Sequence, residues 1–136
     1  MLKIIICTHS NLAMGLKDSV TMILGNEPKD LYVMPFLEGD DMMEYSNKLK
    51  KIAEEYEEKG EKYVFLVDLY GATPFNASAA ALANFDTKVI AGVNLGLLLE
   101  LVVARDFSED YDLLLKESLE KSKDNMKIID IKEMFE

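Results

Sequence analysis

Apolar residues follow two recurring patterns along the chain. Short continuous apolar runs are typical of parallel strands buried on both faces of a sheet, and they predict strands at 2–8, 31–36, 63–69, 88–93 and 127–132. Between these runs, apolar residues recur at helical spacing. This spacing predicts helices over 12–24, 75–84, 95–105 and 108–123, and a long one between residues 41 and 60. The predicted order is β-α-β-α-β-α-β-α-α-β.

Residues that favour helix ends mark the boundaries of these elements. Asp41, Thr73 and Ser108 stand where helical patterns begin, and their side chains are typical N-caps. Gly25 and Gly60 follow helical patterns, and glycine commonly ends a helix because it adopts a left-handed conformation without steric cost.

Alternating strands and helices predict an α/β fold with a doubly wound, mostly parallel sheet and helices on both faces. We expect residues 1–136 to form one domain with strand order 2-1-3-4. The last predicted strand, 127–132, has apolar residues that a monomer of this size cannot easily cover. We therefore expect this strand to be antiparallel and paired across a homodimer.

A lone histidine and an aspartate stand where the first and third predicted strands end. His9 and Asp68 are 59 positions apart, but strands one and three are neighbours in the order 2-1-3-4. Ligands bind at the carboxyl edge of such sheets, where the winding reverses. We therefore expect the two side chains to meet there, with Asp68 fixing the imidazole tautomer for either proton transfer or phosphoryl transfer.

Two helix starts lie beside this pair, and both favour an anion. The turn at 71–74 leads into a helix whose free N–H groups and dipole attract negative charge. Thr73 adds a hydroxyl there, and Ser10 opens a second helix. The candidate phosphate-binding residues are Ser10, Gly71, Ala72 and Thr73.

Composition narrows the possible functions. The 136 residues are 29% charged and 49% hydrophobic, an ordinary globular balance. The net charge of −10 argues against nucleic-acid binding. No run reaches the roughly 18 apolar residues of a membrane span, and no signal peptide is recognisable. We expect a cytoplasmic protein that needs no cofactor or metal, with Cys7 as a small buried hydrophobe.

Three stretches resemble the IIA proteins of the mannose-family sugar phosphotransferase system. They are the strand-histidine-helix opening at 4–19, the third strand and its turn at 67–76, and the segment at 89–100. The middle stretch, Asp68-Leu69-Tyr70-Gly71-Ala72-Thr73-Pro74-Phe75-Asn76, is the most specific. Together they extend the resemblance over essentially the whole chain.

The resemblance implies the roles of individual residues and the identity of the partners. His9 would accept a phosphoryl group from the phosphocarrier HPr and pass it to a IIB protein, which serves the membrane components IIC and IID. Asp68 would hydrogen-bond His9, Thr73 would lie beside the phosphate, and the last strand would be paired or exchanged within a dimer. Ser10 and Ala72 stand where the family has glycine, so Ala72 must avoid a backbone conformation open only to glycine.

Other functions remain open from the residues alone. One is the phosphohistidine subunit of dihydroxyacetone kinase, which resembles the chain around Thr8-His9-Ser10 but lacks the Thr-Pro-Phe-Asn motif. Another is an acid–base enzyme that uses His9 and Asp68, although Thr73 is the only candidate for a further nucleophile. A response-regulator receiver is excluded because the first strand is not followed by an acidic pair.

Overall fold

The chain has four strands and six helices in a computed structural model that describes residues 1–136, and each strand is followed by a helix, with two further helices at the end. The strands are β1 (Lys3–His9), β2 (Leu31–Phe36), β3 (Tyr63–Val67) and β4 (Lys88–Ala91). The helices are α1 (Leu12–Leu24), α2 (Met42–Lys59), α3 (Thr73–Leu82), α4 (Leu95–Ala104), α5 (Tyr111–Lys123) and α6 (Ile131–Met134).

The four strands form one parallel sheet in the order β2-β1-β3-β4, which confirms the predicted doubly wound topology. In the register of β1 and β3, Cys7 pairs with Val67, while His9 pairs with Phe36 of β2. The register therefore places His9 and the residue after Val67 at the same carboxyl edge.

The core has two layers, one on each face of the sheet. Ile4 and Ile6 pack in the layer that includes α1, α4 and α5, while Ile5 and Cys7 pack in the layer that includes α2 and α3. Because β1 is buried on both faces, its sequence is continuously apolar rather than alternating. Cys7 is fully buried, as predicted, and burial raises the pKa of its thiol to about 12.

Helix ends agree with the predictions where the cap is a local motif. The Asp41 side chain accepts a hydrogen bond from the N–H of Glu44, and Gly25 and Gly60 end their helices with φ of 83° and 67°. Ser108 was predicted to cap α5, but Asp110 does so instead and the helix begins at Tyr111. Ser108 accepts the N–H of Asp110, so it shapes the turn before the helix.

Thr73 was predicted to be the N-cap of α3, but in the structure it is the first residue of the helix. The N-cap position is occupied by Ala72, whose side chain cannot accept a hydrogen bond. The helix therefore begins at the residue that was predicted to cap it, and the Thr73 side chain is not used for capping.

The predicted last strand, 127–132, is not a strand in the structure. Residues 124–130 are irregular, and α6 begins at Ile131 because the Asp130 side chain accepts the N–H groups of Lys132 and Glu133. A strand needs a neighbouring edge for its hydrogen bonds, and no strand of the same chain pairs with this segment. Ile128 is consequently fully exposed.

Candidate functional site

His9 and Asp68 are in direct contact at the carboxyl edge of the sheet. The Asp68 Oδ2 atom accepts two hydrogen bonds from His9, one from the ring Nδ1 at 2.8 Å and one from the backbone N–H at 3.0 Å. Its Oδ1 atom accepts the N–H of Leu69 at 3.1 Å. Three hydrogen bonds thereby fix the carboxylate, and it holds the imidazole in one orientation.

This contact determines which ring nitrogen faces outward. A carboxylate only accepts, so Nδ1 carries a proton, and in the neutral ring Nε2 then carries the lone pair. The His9 side chain is 47% exposed, whereas that of Asp68 is 9% exposed. With a neutral ring, the pair presents an unprotonated nitrogen at the surface, and the Asp68 carboxylate lies beneath it, largely shielded from solvent. Such a nitrogen can act as a base or as a nucleophile.

The turn between β1 and α1 is held by two hydrogen bonds. Ser10 has a left-handed backbone with φ of 50°, and its N–H donates to the Phe36 carbonyl at 2.8 Å. Thr8 is fully buried, and its hydroxyl oxygen accepts the N–H of Ala13 at 2.8 Å. Since the Ser10 N–H is already bonded, this residue has only its hydroxyl to offer a ligand.

The turn between β3 and α3 has a mixed set of donors. Gly71 adopts φ of 81°, and its N–H has no acceptor within the protein. Ala72 adopts φ of −87° and ψ of 176°, extended backbone open to any residue, as the sequence required. Its N–H lies 3.5 Å from the Leu69 carbonyl. Of the candidate phosphate-binding residues, Gly71 and Thr73 thus retain a free backbone N–H, and Ser10 retains its hydroxyl.

Two residues that shape the site were missed at the level of sequence. Thr8 caps α1 from the strand, and Asn76 donates from its side-chain amide to the Gly71 carbonyl at 3.1 Å. A buried threonine just before a strand-to-helix turn, and an asparagine in the first turn of a helix, are the signals that point to such bonds.

The surface around His9 is apolar and open. Leu12, Leu37, Leu69 and Tyr70 are exposed there, Tyr70 at 81%, and the Tyr70 ring packs on Phe75 with centroids 4.9 Å apart. A groove of about 640 Å³ lies between β4 and α5, and neither His9 nor Asp68 lines it. An open apolar surface fits a macromolecular partner better than a small substrate.

Two further features bear on the chemistry of the molecule. No group of three or more His, Cys, Asp or Glu side chains is arranged to hold a metal ion. None of the helices combines the length and the apolar character that crossing a bilayer requires.

A model of the family described as "PTS system fructose IIA component" matches residues 3–126. The chain is 38% identical over 119 residues to the fructose-specific EIIA component of Bacillus subtilis, covering 84% of this chain and 77% of that protein. It is 30% identical over 134 residues to the mannose-specific EIIAB component of Escherichia coli, covering 95% of this chain but only 40% of that longer protein.

Solved structures agree with these relatives. The fold matches the phosphotransferase system component EIIA of Streptococcus agalactiae with a TM-score of 0.79 and 30% identity, over 97% of this chain and 98% of that one. It matches the mannose/sorbose-specific IIA subunit of Enterococcus faecalis with a TM-score of 0.77 and 26% identity, over 94% of each chain.

Proposed function

The chain belongs to the mannose-type EIIA family of the sugar phosphotransferase system, and we propose that it carries the transferred phosphoryl group on Nε2 of His9. Proteins of this family are phosphocarriers in sugar uptake. The kinase-subunit and acid–base readings are not favoured, since the relatives are EIIA components. The hydrogen bond from Nδ1 to Asp68 carries the proposal, because in the neutral ring it leaves the lone pair on Nε2 of a half-exposed side chain.

The transfer forms one bond and breaks one. The lone pair of Nε2 attacks the phosphorus of phospho-HPr, while the bond from phosphorus to its leaving atom on HPr breaks and that electron pair stays with HPr. Nδ1 keeps its proton, so the phosphorylated His9 ring is positively charged. The Asp68 carboxylate, 2.8 Å from Nδ1, stabilises this charge. Onward transfer to a IIB protein leaves the ring neutral again.

In this proposal the donors beside the ring form hydrogen bonds to the phosphoryl oxygens. The free N–H of Gly71 and the hydroxyl of Thr73 lie where the positive end of α3 begins, which favours an anion. Ser10 contributes its hydroxyl. Ala72 contributes least, because its N–H is directed at the Leu69 carbonyl.

The partners follow from the family and from the surface. We assign phospho-HPr as donor and a cognate IIB protein as acceptor, both in the cytoplasm, with the membrane components IIC and IID served indirectly. Both partners would dock in turn on the exposed apolar residues around His9. In this proposal residues 1–136 act as one IIA domain, and nucleic acid is not a ligand because the net charge is −10.

A homodimer is the second part of the proposal. The groove between β4 and α5 is lined by apolar residues such as Val89, Ile90 and Leu113, and β4 has an unpaired edge. The segment after α5 leaves apolar side chains exposed in one chain, including Ile128 and Ile131. If this segment of a second copy pairs with β4, it fills the groove and also hydrogen-bonds to the free edge of the strand.

The dimer is tested by light scattering of the full chain and of a chain ending at Asn125. The full chain is expected to have twice its sequence mass at micromolar concentration, and the shortened chain is expected to be monomeric. An Ile128→Asp, Ile131→Asp variant keeps the length and should also dissociate. A monomeric full chain would contradict the proposal.

The phosphoryl site is tested by intact mass after incubation with phosphoenolpyruvate, enzyme I and HPr. The wild-type chain should gain one phosphoryl group that acid removes, since a phosphohistidine is acid-labile. His9→Ala should gain none, because His9 is the only histidine of the chain. An acid-stable adduct, or one that persists in His9→Ala, would point to a hydroxyl such as that of Ser10 and overturn the assignment.

A further inference from the structure

We infer that Asn76 is a positioning residue for phosphoryl transfer: it holds the turn before α3 so that the Gly71 N–H and the Thr73 hydroxyl face the phosphoryl group. The inference rests on the proposed function, since it says how the donors of the proposed phosphoryl site are held in position. Asn76 lies on α3 and has no assigned contact with the reacting atoms.

Asn76 contacts two consecutive carbonyls of the turn. Its side-chain amide donates to the Gly71 carbonyl at 3.1 Å, and its backbone N–H donates to the Ala72 carbonyl at 2.9 Å. Since a carbonyl only accepts, the side chain must present its NH₂ group to Gly71. One residue thus fixes the orientation of both peptide planes that precede Thr73.

The first half of this turn is held by the Leu69 N–H bond to Asp68 and by the Tyr70 ring on Phe75, but few contacts hold the second half. Leu69 and Tyr70 are exposed, and the hydrogen bond from the Ala72 N–H to the Leu69 carbonyl is 3.5 Å long, at the weak limit for such a bond. The N-cap position holds Ala72, which provides no side-chain acceptor. The second half of the turn is therefore not capped in the usual way, and the Asn76 side chain makes the only hydrogen bond to the Gly71 carbonyl.

Gly71 is the part of the turn that needs this tether. Its φ of 81° is one of several conformations open to glycine, and a free glycine would sample them. Holding the Gly71 carbonyl restricts that freedom and, with it, the direction of the Gly71 N–H on the other side of the same Cα before the phosphoryl group arrives. Donors arranged in advance cost no reorganisation during the reaction, and a displacement near 1 Å can cost about 10²-fold in rate.

The test is single-turnover transfer from phospho-HPr, measured over a range of HPr concentrations by quenched flow. Asn76→Ala removes the amide and leaves an exposed helix position, so the fold should persist, which circular dichroism checks. The matched control is Asn84→Ala, which removes an exposed asparagine just after α3 that makes no hydrogen bond through its side chain.

We expect Asn76→Ala to slow the saturating transfer rate by about 10- to 100-fold, with half-saturation by HPr changed less than about 2-fold. Asn84→Ala should match the wild type. Equal saturating rates for both variants would overturn the inference. A change only in the HPr concentration at half-saturation would also overturn it, because that result marks a partner contact.

A double-mutant cycle with Gly71→Ala supplies a second test. A Cβ at Gly71 meets no atom within 4 Å, so this substitution acts through the backbone conformation. If Asn76 acts through Gly71, Asn76→Ala should have a much smaller effect in the Gly71→Ala background than in the wild type. Additive effects would overturn the inference while leaving the proposed function intact. Failure of the wild-type chain to take any phosphoryl group would instead overturn the proposed function, and the inference with it.

Discussion

Asp68 combines three tasks in one side chain. Its Oδ2 atom binds both the ring and the backbone N–H of His9, so the ring is oriented relative to the strand that carries it. Its negative charge lies below the ring, 9% exposed, where solvent screens it less than at the surface. Orientation, tautomer and charge stabilisation are therefore provided by one group.

Asp68→Asn should slow phosphoryl transfer by about 10²- to 10⁴-fold, the range that orienting and acid–base groups usually provide. The amide keeps the size of the side chain but lacks the charge that stabilises the phosphorylated ring. Quenched-flow transfer from phospho-HPr measures the rate. Asp86→Asn, an exposed aspartate before β4, serves as the control. Transfer at the wild-type rate in Asp68→Asn would mean that the carboxylate is only structural.

Replacing Ser10 or Ala72 with glycine should change the free energy of unfolding in opposite directions. Ser10 has φ of 50°, where a Cβ costs energy, so Ser10→Gly should raise the free energy of unfolding by up to about 1 kcal/mol. Ala72 has φ of −87°, so Ala72→Gly only adds freedom to the unfolded chain. This change should lower the free energy of unfolding by about 0.4–1 kcal/mol. Urea unfolding of both variants measures this. Changes of the same sign would contradict the assigned backbone conformations.

The four strands of the sheet could be predicted from the sequence, whereas two helix caps and the last predicted strand could not. The continuously apolar β1 and β3 gave the parallel sheet, its order and the meeting of His9 with Asp68, because burial on both faces leaves a clear pattern. Hydroxyl caps at Thr73 and Ser108 were wrong by one and two residues, since several neighbouring residues can cap the same helix. The predicted strand at 127–132 is absent from the single chain, because an apolar pattern does not reveal which edge the segment would pair with.

The junction of β1 and α1 depends on a side chain that lies in the strand. The Thr8 hydroxyl accepts the N–H of Ala13, one of the first donors of α1, and this bond is fully buried. It joins the residue before His9 to the helix after it. The two elements are thereby held together on either side of the proposed phosphoryl acceptor.

Thr8→Val should lower the free energy of unfolding by about 1–2 kcal/mol, since it removes a helix cap and leaves the buried N–H of Ala13 without a partner. The shape of the side chain is retained, so packing changes little. Thr21→Val is the matched control: its hydroxyl donates back to the Lys17 carbonyl within α1, and its loss should change stability by less than about 0.5 kcal/mol. Equal effects in urea unfolding would refute the capping role of Thr8.

The whole molecule combines a negative charge of −10 with an apolar surface around His9. Apolar contacts without a deep cavity suit a partner that must leave quickly, and the surrounding charge favours encounter with a basic face. The shape and charge of the molecule therefore fit a carrier that is visited in turn by two proteins.

Transfer from phospho-HPr should slow as salt is raised from about 50 to 500 mM, because the charges that speed encounter become screened beyond a few ångströms. The fall should appear at low HPr concentration, where encounter limits the rate, and should vanish at saturation. A second-order rate that does not change with salt would show that charge does not steer the encounter.

The site of the phosphoryl group on the ring is the most direct test of the central claim. In ¹⁵N-labelled protein phosphorylated through HPr, the NMR spectrum of His9 should show coupling between phosphorus and Nε2, while Nδ1 keeps its proton against Asp68. This pattern would place the bond on the nitrogen that the carboxylate leaves free. Phosphorus coupled to Nδ1, or no phosphorus on the ring at all, would contradict the account.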